Sequence, residues 1–324
     1  MNEKLSEFTV QFWGVRGSYP IARRDSMGYG GNTSCVAVTV KNHLIILDAG
    51  TGIIPLGQTM VKKSFQTGQA MRYTLLFSHL HHDHNQGFPF FAPNFFPKTQ
   101  GAIMGPAFGG SNPEETLLTM MCPPYFPVRL EDVSARLSFN VLRDRDTIIL
   151  NDYGSHTIYH ASEPLPQENP GVVKIRVMRS YGHPEGVLHY RIEYAGKSMV
   201  YATDTEGYHN GDQRTIAFAK GADILIHDAQ YTEEHYVGKM GGIVQGYGHS
   251  TVNMACDVAH YAQVGQLVLF HHAPEYTDEQ MDQVQAFARK LFPQSMAAYE
   301  GLTMVLVNQA LEANAKKAMV DSEV

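Results

Sequence analysis

The sequence predicts an α/β fold in which two mixed sheets face each other with helices outside. Three features predict it. Short β-rich segments alternate with helical patterns. Several strands follow one another directly, which makes the sheets mixed rather than all-parallel. The 324 residues show neither a Gly/Ser or Pro-rich linker nor a repeat of solenoid period, so they read as one large unit. That unit is expected to span residues 1–310, with 311–324 an Ala-rich, charged tail.

Phe8 to Trp13, Cys35 to Val40 and Leu44 to Leu47 read as strands, punctuated by Gly14, Gly17, Gly28, Gly30 and Gly31. Tyr73 to Phe77 is a further apolar run that ends at a histidine cluster. Residues 85 to 135 are rich in Pro, Phe and Gly, with one helical pattern from Pro113 to Met121. Loops this long are rarely passive, so the stretch is read as an excursion serving as a lid or a dimerisation segment. Strands resume at Leu137 to Leu142, Thr147 to Leu150, Val172 to Met178, His189 to Tyr194 and Ser198 to Ala202. Ile224 to Ile226 and Leu267 to Phe270 are short buried strands. Helical patterns fall at Gln213 to Lys220, Ser250 to Ala262 and Asp278 to Leu291.

Apolar residues make up 44% of the chain and charged residues 18%, the composition of a soluble globular protein. The formal net charge of −7 argues against a broad phosphate-backbone footprint, which needs clustered Lys and Arg. Three cysteines, Cys35, Cys122 and Cys256, do not make a disulfide framework. Met1 to Val10 has no apolar signal core and no run approaches membrane-spanning length. A reducing cytoplasm is the expected location, with no membrane partner.

The chemistry concentrates in Ser78-His79-Leu80-His81-His82-Asp83-His84. The run follows a strand, so His79 and His81 can project to one side, with Asp83 and His84 supplied by the turn. Imidazole with carboxylate suits zinc, and also manganese or iron. A merely polar, His-rich surface loop is the alternative, but such loops rarely follow a buried strand directly. Closing two metal sites needs further ligands, and three polar residues lie at strand ends: His183, Asp204 and His271. The common edge of an α/β sheet is where sites assemble.

These residues resemble the metallo-β-lactamase fold superfamily, specifically its ribonuclease Z-like phosphodiesterase branch. Asp48 in Leu47-Asp48-Ala49-Gly50-Thr51-Gly52 and the segment Gly248-His249-Ser250-Thr251 extend the match. Phe12-Trp13-Gly14-Val15-Arg16-Gly17-Ser18-Tyr19-Pro20 and Gly30-Gly31-Asn32-Thr33-Ser34-Cys35 are similar to a bacterial subgroup that includes cyclic-nucleotide phosphodiesterases of the anti-Pycsar type. The resemblance implies a four-layer αββα sandwich and two divalent metal ions, zinc first. His79, His81 and His183 would hold one ion and Asp83, His84 and His271 the other, with Asp204 bridging. His271 is preferred to His272 because it directly follows the strand, and His82 is left out as the variable position of the motif. The resemblance also places His249, with Asp228 orienting it, beside the metals as a catalytic pair, the alternative being a helix cap. Asp83 counts as catalytic too. Asp48 would orient a ligand histidine. Arg16 and Asn32, in glycine-rich loops, either contact substrate or brace the turns. Cys256 reads as core. Gly196-Lys197-Ser198 lacks the upstream glycine of a phosphate loop, since Arg191 stands there.

Two divalent cations against Asp83, Asp204 and one hydroxide leave a single positive charge, which matches one phosphodiester anion. The expected reaction is hydrolysis of a small phosphodiester, with a 3′,5′-cyclic nucleotide as the candidate, by metal-activated hydroxide. Only 21 residues, mostly strand, separate His183 from Asp204, too few for the RNA-gripping arm that some ribonuclease Z enzymes carry there. That spacing and the acidic charge disfavour extended nucleic acid, leaving tRNA 3′ processing as an alternative. An ester, lactone or thioester hydrolase on the same metals is another, and a nucleotide-sequestering protein without turnover is a third. The aromatics Phe88, Phe90, Phe91, Phe95, Phe96, Tyr125 and Phe126 could stack a base or pack a lid or homodimer interface.

Overall fold

The computed structural model describes residues 8–151, 155–167, 169–208 and 210–307. The strands are β1 (Phe8–Gly14), β2 (Cys35–Val40), β3 (His43–Leu47), β4 (Arg72–Leu76), β5 (Gln100–Gly105), β6 (Arg136–Val141), β7 (Thr147–Leu150), β8 (His156–Tyr159), β9 (Val173–Ser180), β10 (Val187–Tyr194), β11 (Lys197–Ala202), β12 (Ile224–Asp228), β13 (Gln266–Phe270), β14 (Ser295–Ala297) and β15 (Thr303–Leu306). The helices are α1 (Ile53–Thr67), α2 (His82–Asn85), α3 (Pro113–Met120), α4 (Gln213–Ala219), α5 (Glu233–Tyr236), α6 (Val252–Ala262) and α7 (Asp278–Leu291).

One sheet runs β15-β1-β2-β3-β4-β5-β6 and the other β14-β13-β12-β11-β10-β9-β7-β8. Each is mixed: β3 to β6 are parallel in the first, β11 to β14 in the second, and the rest pair antiparallel. Period-2 alternation sorts the side chains into layers. Ile45, Leu47 and Leu76 face a central core with Ile226, Val268 and Phe270 of the opposite sheet. Ile46 and Leu75 pack outward with Ile53 and Leu56 of α1 and Leu117 of α3. Leu225, Leu267 and Leu269 pack outward with Val258 and Ala259 of α6 and Met281 and Val284 of α7. The result is the expected αββα sandwich.

The stretch from 85 to 135 departs from the excursion reading. Its middle is β5, a parallel strand inserted between β4 and β6. Phe88 and Phe91 are fully buried beneath the first sheet, Phe91 edge-on to Tyr73 at 5.2 Å. Phe90, Phe95 and Tyr125 remain exposed. The expected boundary at 310 and the tail lie outside the described residues. All three cysteines are free, with Cys256 in the core around α6. Among the described residues no helix is long and apolar enough to cross a membrane.

His189, on β10, is fully buried, with only the Thr215 hydroxyl 3.5 Å from its Nδ1. Burial pushes its pKa down from 6.5 to about 3. The unfolded chain therefore takes up this proton first. The stability associated with a neutral His189 is complete above pH 6.5 and is lost as pH falls toward 3. The loss is about 1.4 kcal/mol per pH unit. Urea midpoints measured from pH 7 to pH 4 should fall less steeply, by about one proton's worth, in His189→Leu; parallel slopes would disprove the assignment.

Candidate metal centre

The parallel strands of both sheets deliver their C-terminal ends to one rim. Asp48 follows β3, the run from His79 to His84 follows β4, Asp204 follows β11, Asp228 ends β12 and His271 follows β13. His183 comes from the turn between β9 and β10. Asp48, Asp204 and His271 each leave their strand in the left-handed region, at φ 61°, 47° and 61°. Such backbone costs of order 1–3 kcal/mol per residue and is concentrated at functional sites. Here it turns each side chain back over the sheet edge.

The seven candidate ligands form two adjoining groups, His79 with His81 and His183, and Asp83 with His84, Asp204 and His271. In the first, His183 Nε2 lies 3.0 Å from His81 Nδ1. In the second, His271 Nε2 lies 3.1 Å from Asp83 Oδ2 and 3.3 Å from His84 Nε2. Asp204 spans both: Oδ1 is 3.2 Å from His84 Nε2 and 3.3 Å from His271 Nε2, while Oδ2 is 3.7 Å from His79 Nε2. One carboxylate thus offers an oxygen to each group. His79 Nε2 is buried without a hydrogen-bond partner. Imidazole nitrogens and carboxylate oxygens converging at this spacing fit divalent cations of the zinc, manganese or iron kind.

The far sides of the rings are held. His84 Nδ1 meets Asp48 Oδ2 at 2.8 Å, His183 Nδ1 meets the Gly248 carbonyl at 3.1 Å, and His79 Nδ1 meets Ser78 Oγ at 3.1 Å. These contacts direct Nε2 of each ring into the cluster. Asp48 is anchored in turn by the Ser78 backbone N–H at 2.7 Å and the Tyr201 hydroxyl at 2.9 Å. Burial raises the pKa of Asp83, but His84 and His271 outweigh it and hold the carboxyl well below its usual range. Asp204 follows the same pattern through His271, His84 and His79. Burial pushes His79 well down. His84 is pushed down by burial yet ends well above its usual value because Asp204, Asp83 and Asp48 surround it.

His249 Nδ1 contacts Asp228 Oδ2 at 2.8 Å, and its ring stacks on His271 with centroids 4.9 Å apart. Asp228 also accepts from the backbone N–H of Ser250 at 3.0 Å and of Gln230 at 3.1 Å. Thr251, not His249, caps α6, its side chain accepting from the Met254 N–H. Against burial, Asp228 raises the His249 pKa. His272 lies apart, its Nε2 on the Ala298 carbonyl at 2.9 Å, and burial and then Arg16 lower its pKa to about 3.

Arg16 and Asn32 brace turns. The Arg16 guanidinium is fully buried and donates to the carbonyls of Gly30, Ala273, Tyr276 and Ser26. Asn32 binds Glu300 through backbone and side chain. Sequence reasoning missed two contributors. Ser18 donates its backbone N–H to Asp83 Oδ2 at 2.8 Å, and the Tyr201 hydroxyl steadies Asp48. A backbone donor leaves no residue-type signature. Tyr201 had one, a hydroxyl among the apolar residues Met199, Val200 and Ala202 of β11.

Facing sheets with a paired His/Asp cluster at their common edge define the class of a metallo-hydrolase. The chain belongs to the β-lactamase superfamily domain family, whose match covers residues 43–272, and is similar in sequence to ribonuclease Z proteins. Ribonuclease Z of Thermoplasma acidophilum is 26% identical over 295 residues, covering 84% of this chain and 89% of its own. The metallo-β-lactamase fold protein YhfI from Bacillus subtilis has the same fold, with a TM-score of 0.61 at 17% identity over 93% of this chain and 100% of its own. Human tRNase Z, short form, gives 0.57 at 19% identity over 91% and 98%.

Proposed function

We propose that the protein is a phosphodiesterase that hydrolyses a small phosphodiester, with 3′,5′-cyclic nucleotides as the class to test first. His79, His81 and His183 are read as the ligands of one divalent ion and Asp83, His84 and His271 as those of a second, with zinc the proposed metal. The observation that carries the reading is the division of the Asp204 carboxylate between the two groups. Cations held there would lower the pKa of water and polarise a phosphoryl oxygen. The residues do the rest. Asp204 fixes the spacing of the two groups. Asp83, held by the Ser18 N–H, faces His271. Asp228 holds Nδ1 of His249, which leaves Nε2 to carry a proton to the departing oxygen. The raised pKa keeps that proton available nearer neutrality.

Small size is supported by a cavity of about 180 Å³ beside His79 and His81, walled by Phe108, Pro184, Ser111, Thr116 and Glu185. It is below the roughly 300 Å³ at which drug-sized ligand pockets begin. β10 and β11 are joined through Ala195 and Gly196 at φ 51° and 75°, a tight hairpin with no arm. A cytoplasmic homodimer, with the exposed Phe90, Phe95 and Tyr125 near the contact, completes the proposal.

A second reading, tRNA 3′ processing, is favoured by the ribonuclease Z relatives. One experiment separates the two. Zinc- or manganese-loaded protein is incubated with cyclic mononucleotides, cyclic dinucleotides, a lactone panel and a tRNA precursor, and the products are separated by chromatography. Opening of a cyclic phosphodiester is expected. Cleavage of the precursor alone would replace the first reading with the second, and lactone turnover alone would remove both.

A further inference from the structure

We infer that Glu206 is a positioning residue that fixes His183 and the loop leading to His249 together. The inference rests on the reading of His183 as a metal ligand. Residue 206 brackets that histidine from two directions. Its backbone N–H donates to the Gly182 carbonyl at 2.7 Å, immediately before His183. Its carboxylate accepts the Gly248 N–H at 3.1 Å, the Gly246 N–H at 2.9 Å and the Tyr236 hydroxyl. Gly248 then turns its carbonyl to His183 Nδ1 at 3.1 Å. Only glycine permits this approach: φ is +90° at Gly248, and a Cβ there would lie 2.3 Å from His183 Nδ1.

Apart from Val244, which packs against the core around α6, the loop that ends at His249 has little else to hold it. Val237, Met240, Ile243 and Tyr247 are 45%, 51%, 63% and 60% exposed. Gly238, Gly241, Gly246 and Gly248 all take positive φ. Among the described residues, the other backbone bonds donated from 238 to 247 close local turns within the loop or onto α5. A segment with few buried apolar contacts opens readily unless something pins it. The Glu206 carboxylate is the pin. It sits two residues after Asp204 in the sequence, so the same turn that presents one candidate ligand orients another. It also sets where the chain re-enters the site at His249.

Glutamine at 206 keeps the shape but offers a single acceptor oxygen and adds two N–H donors. It cannot satisfy both glycine N–H groups and the tyrosine. The test counts metal and does not depend on turnover. Zinc-loaded full-length protein is titrated with a competing chelator, and zinc per chain is measured. Wild type is expected to hold two ions. Glu206→Gln should give up one of them at about ten- to a hundredfold lower chelator concentration while keeping the other, the usual effect of losing the partner that orients a ligand. Tyr236→Phe removes a donor to the same carboxylate without touching Gly248, so it should lower Tm comparably and keep both ions. The inference is overturned if both ions of Glu206→Gln leave at the wild-type concentration, or if Tyr236→Phe sheds its zinc equally. A wild-type protein that holds fewer than two zinc ions removes the ligand reading beneath it.

Discussion

Asp204→Asn is expected to lower kcat on bis(4-nitrophenyl) phosphate by about a thousandfold. The asparagine keeps the volume and one oxygen but removes the charge and the second carboxylate oxygen. In the structure those two oxygens face different groups, Oδ1 toward His84 and His271 and Oδ2 toward His79. The metal pair is asked to contribute several kcal/mol of charge stabilisation, and each 1.36 kcal/mol is tenfold in rate. A loss of three decades follows if the shared carboxylate is what keeps two cations adjacent. Metal content must be measured on the same sample. A variant that holds about one ion per chain assigns the loss to a broken pair, and one that holds two assigns it to altered charge. A rate within tenfold of wild type, at full metal loading, would show that Asp204 does not join the two groups.

The fold was legible where local pattern and tertiary demand agree. β2, β7 and α7 fall where β-branched runs and apolar helical spacing place them, and α7 opens with a capping box from Thr277 and Gln280. It was illegible where packing overrides propensity. α1 went unread because Pro55 and Gly57 look like breakers. Pro55 sits in the first turn, where its missing N–H is harmless, and a Cβ at Gly57 would lie 2.7 Å from the Phe91 ring. β5 reads Gln-Gly-Ala-Ile-Met-Gly, a poor strand on its face. A Cβ at Gly101 would lie 2.4 Å from the Tyr73 ring, so the neighbouring strand dictates glycine there. The candidate site was more legible than its surroundings because chemistry limits residue choice. Few side chains other than histidine and aspartate could stand at 79, 81, 84, 204 or 271. Two of the partners that orient them, the Ser18 N–H on Asp83 and the Gly248 carbonyl on His183, are backbone groups, which leave no side-chain signature. Pattern alone left Arg16 open between substrate and scaffold. Its guanidinium spans four carbonyls from two connections far apart in sequence, β1–β2 and β13–α7, a contact set that no single-sequence pattern encodes.

His249→Ala should separate substrates by the basicity of the group that departs. A proton donor matters when the leaving oxygen is a poor anion and hardly at all when it is 4-nitrophenolate. For a cyclic nucleotide, whose ring opens to an alkoxide, the variant is expected to lose about 10²- to 10⁴-fold in kcat, the usual share of general acid catalysis. For bis(4-nitrophenyl) phosphate the loss should stay within about tenfold. Asp228→Asn leaves the imidazole in place but removes the carboxylate that raises its pKa and holds Nδ1 at 2.8 Å. It should show the same selectivity at a smaller amplitude. His249 is packed against His271 and His183, at ring centroid distances of 4.9 and 5.2 Å, so zinc content is the necessary control. Equal losses on both substrates with full zinc would remove His249 as the proton donor and leave it a wall of the site. A loss confined to the alkoxide substrate would fix the direction of in-line attack, because the donor must stand on the side from which the leaving group departs.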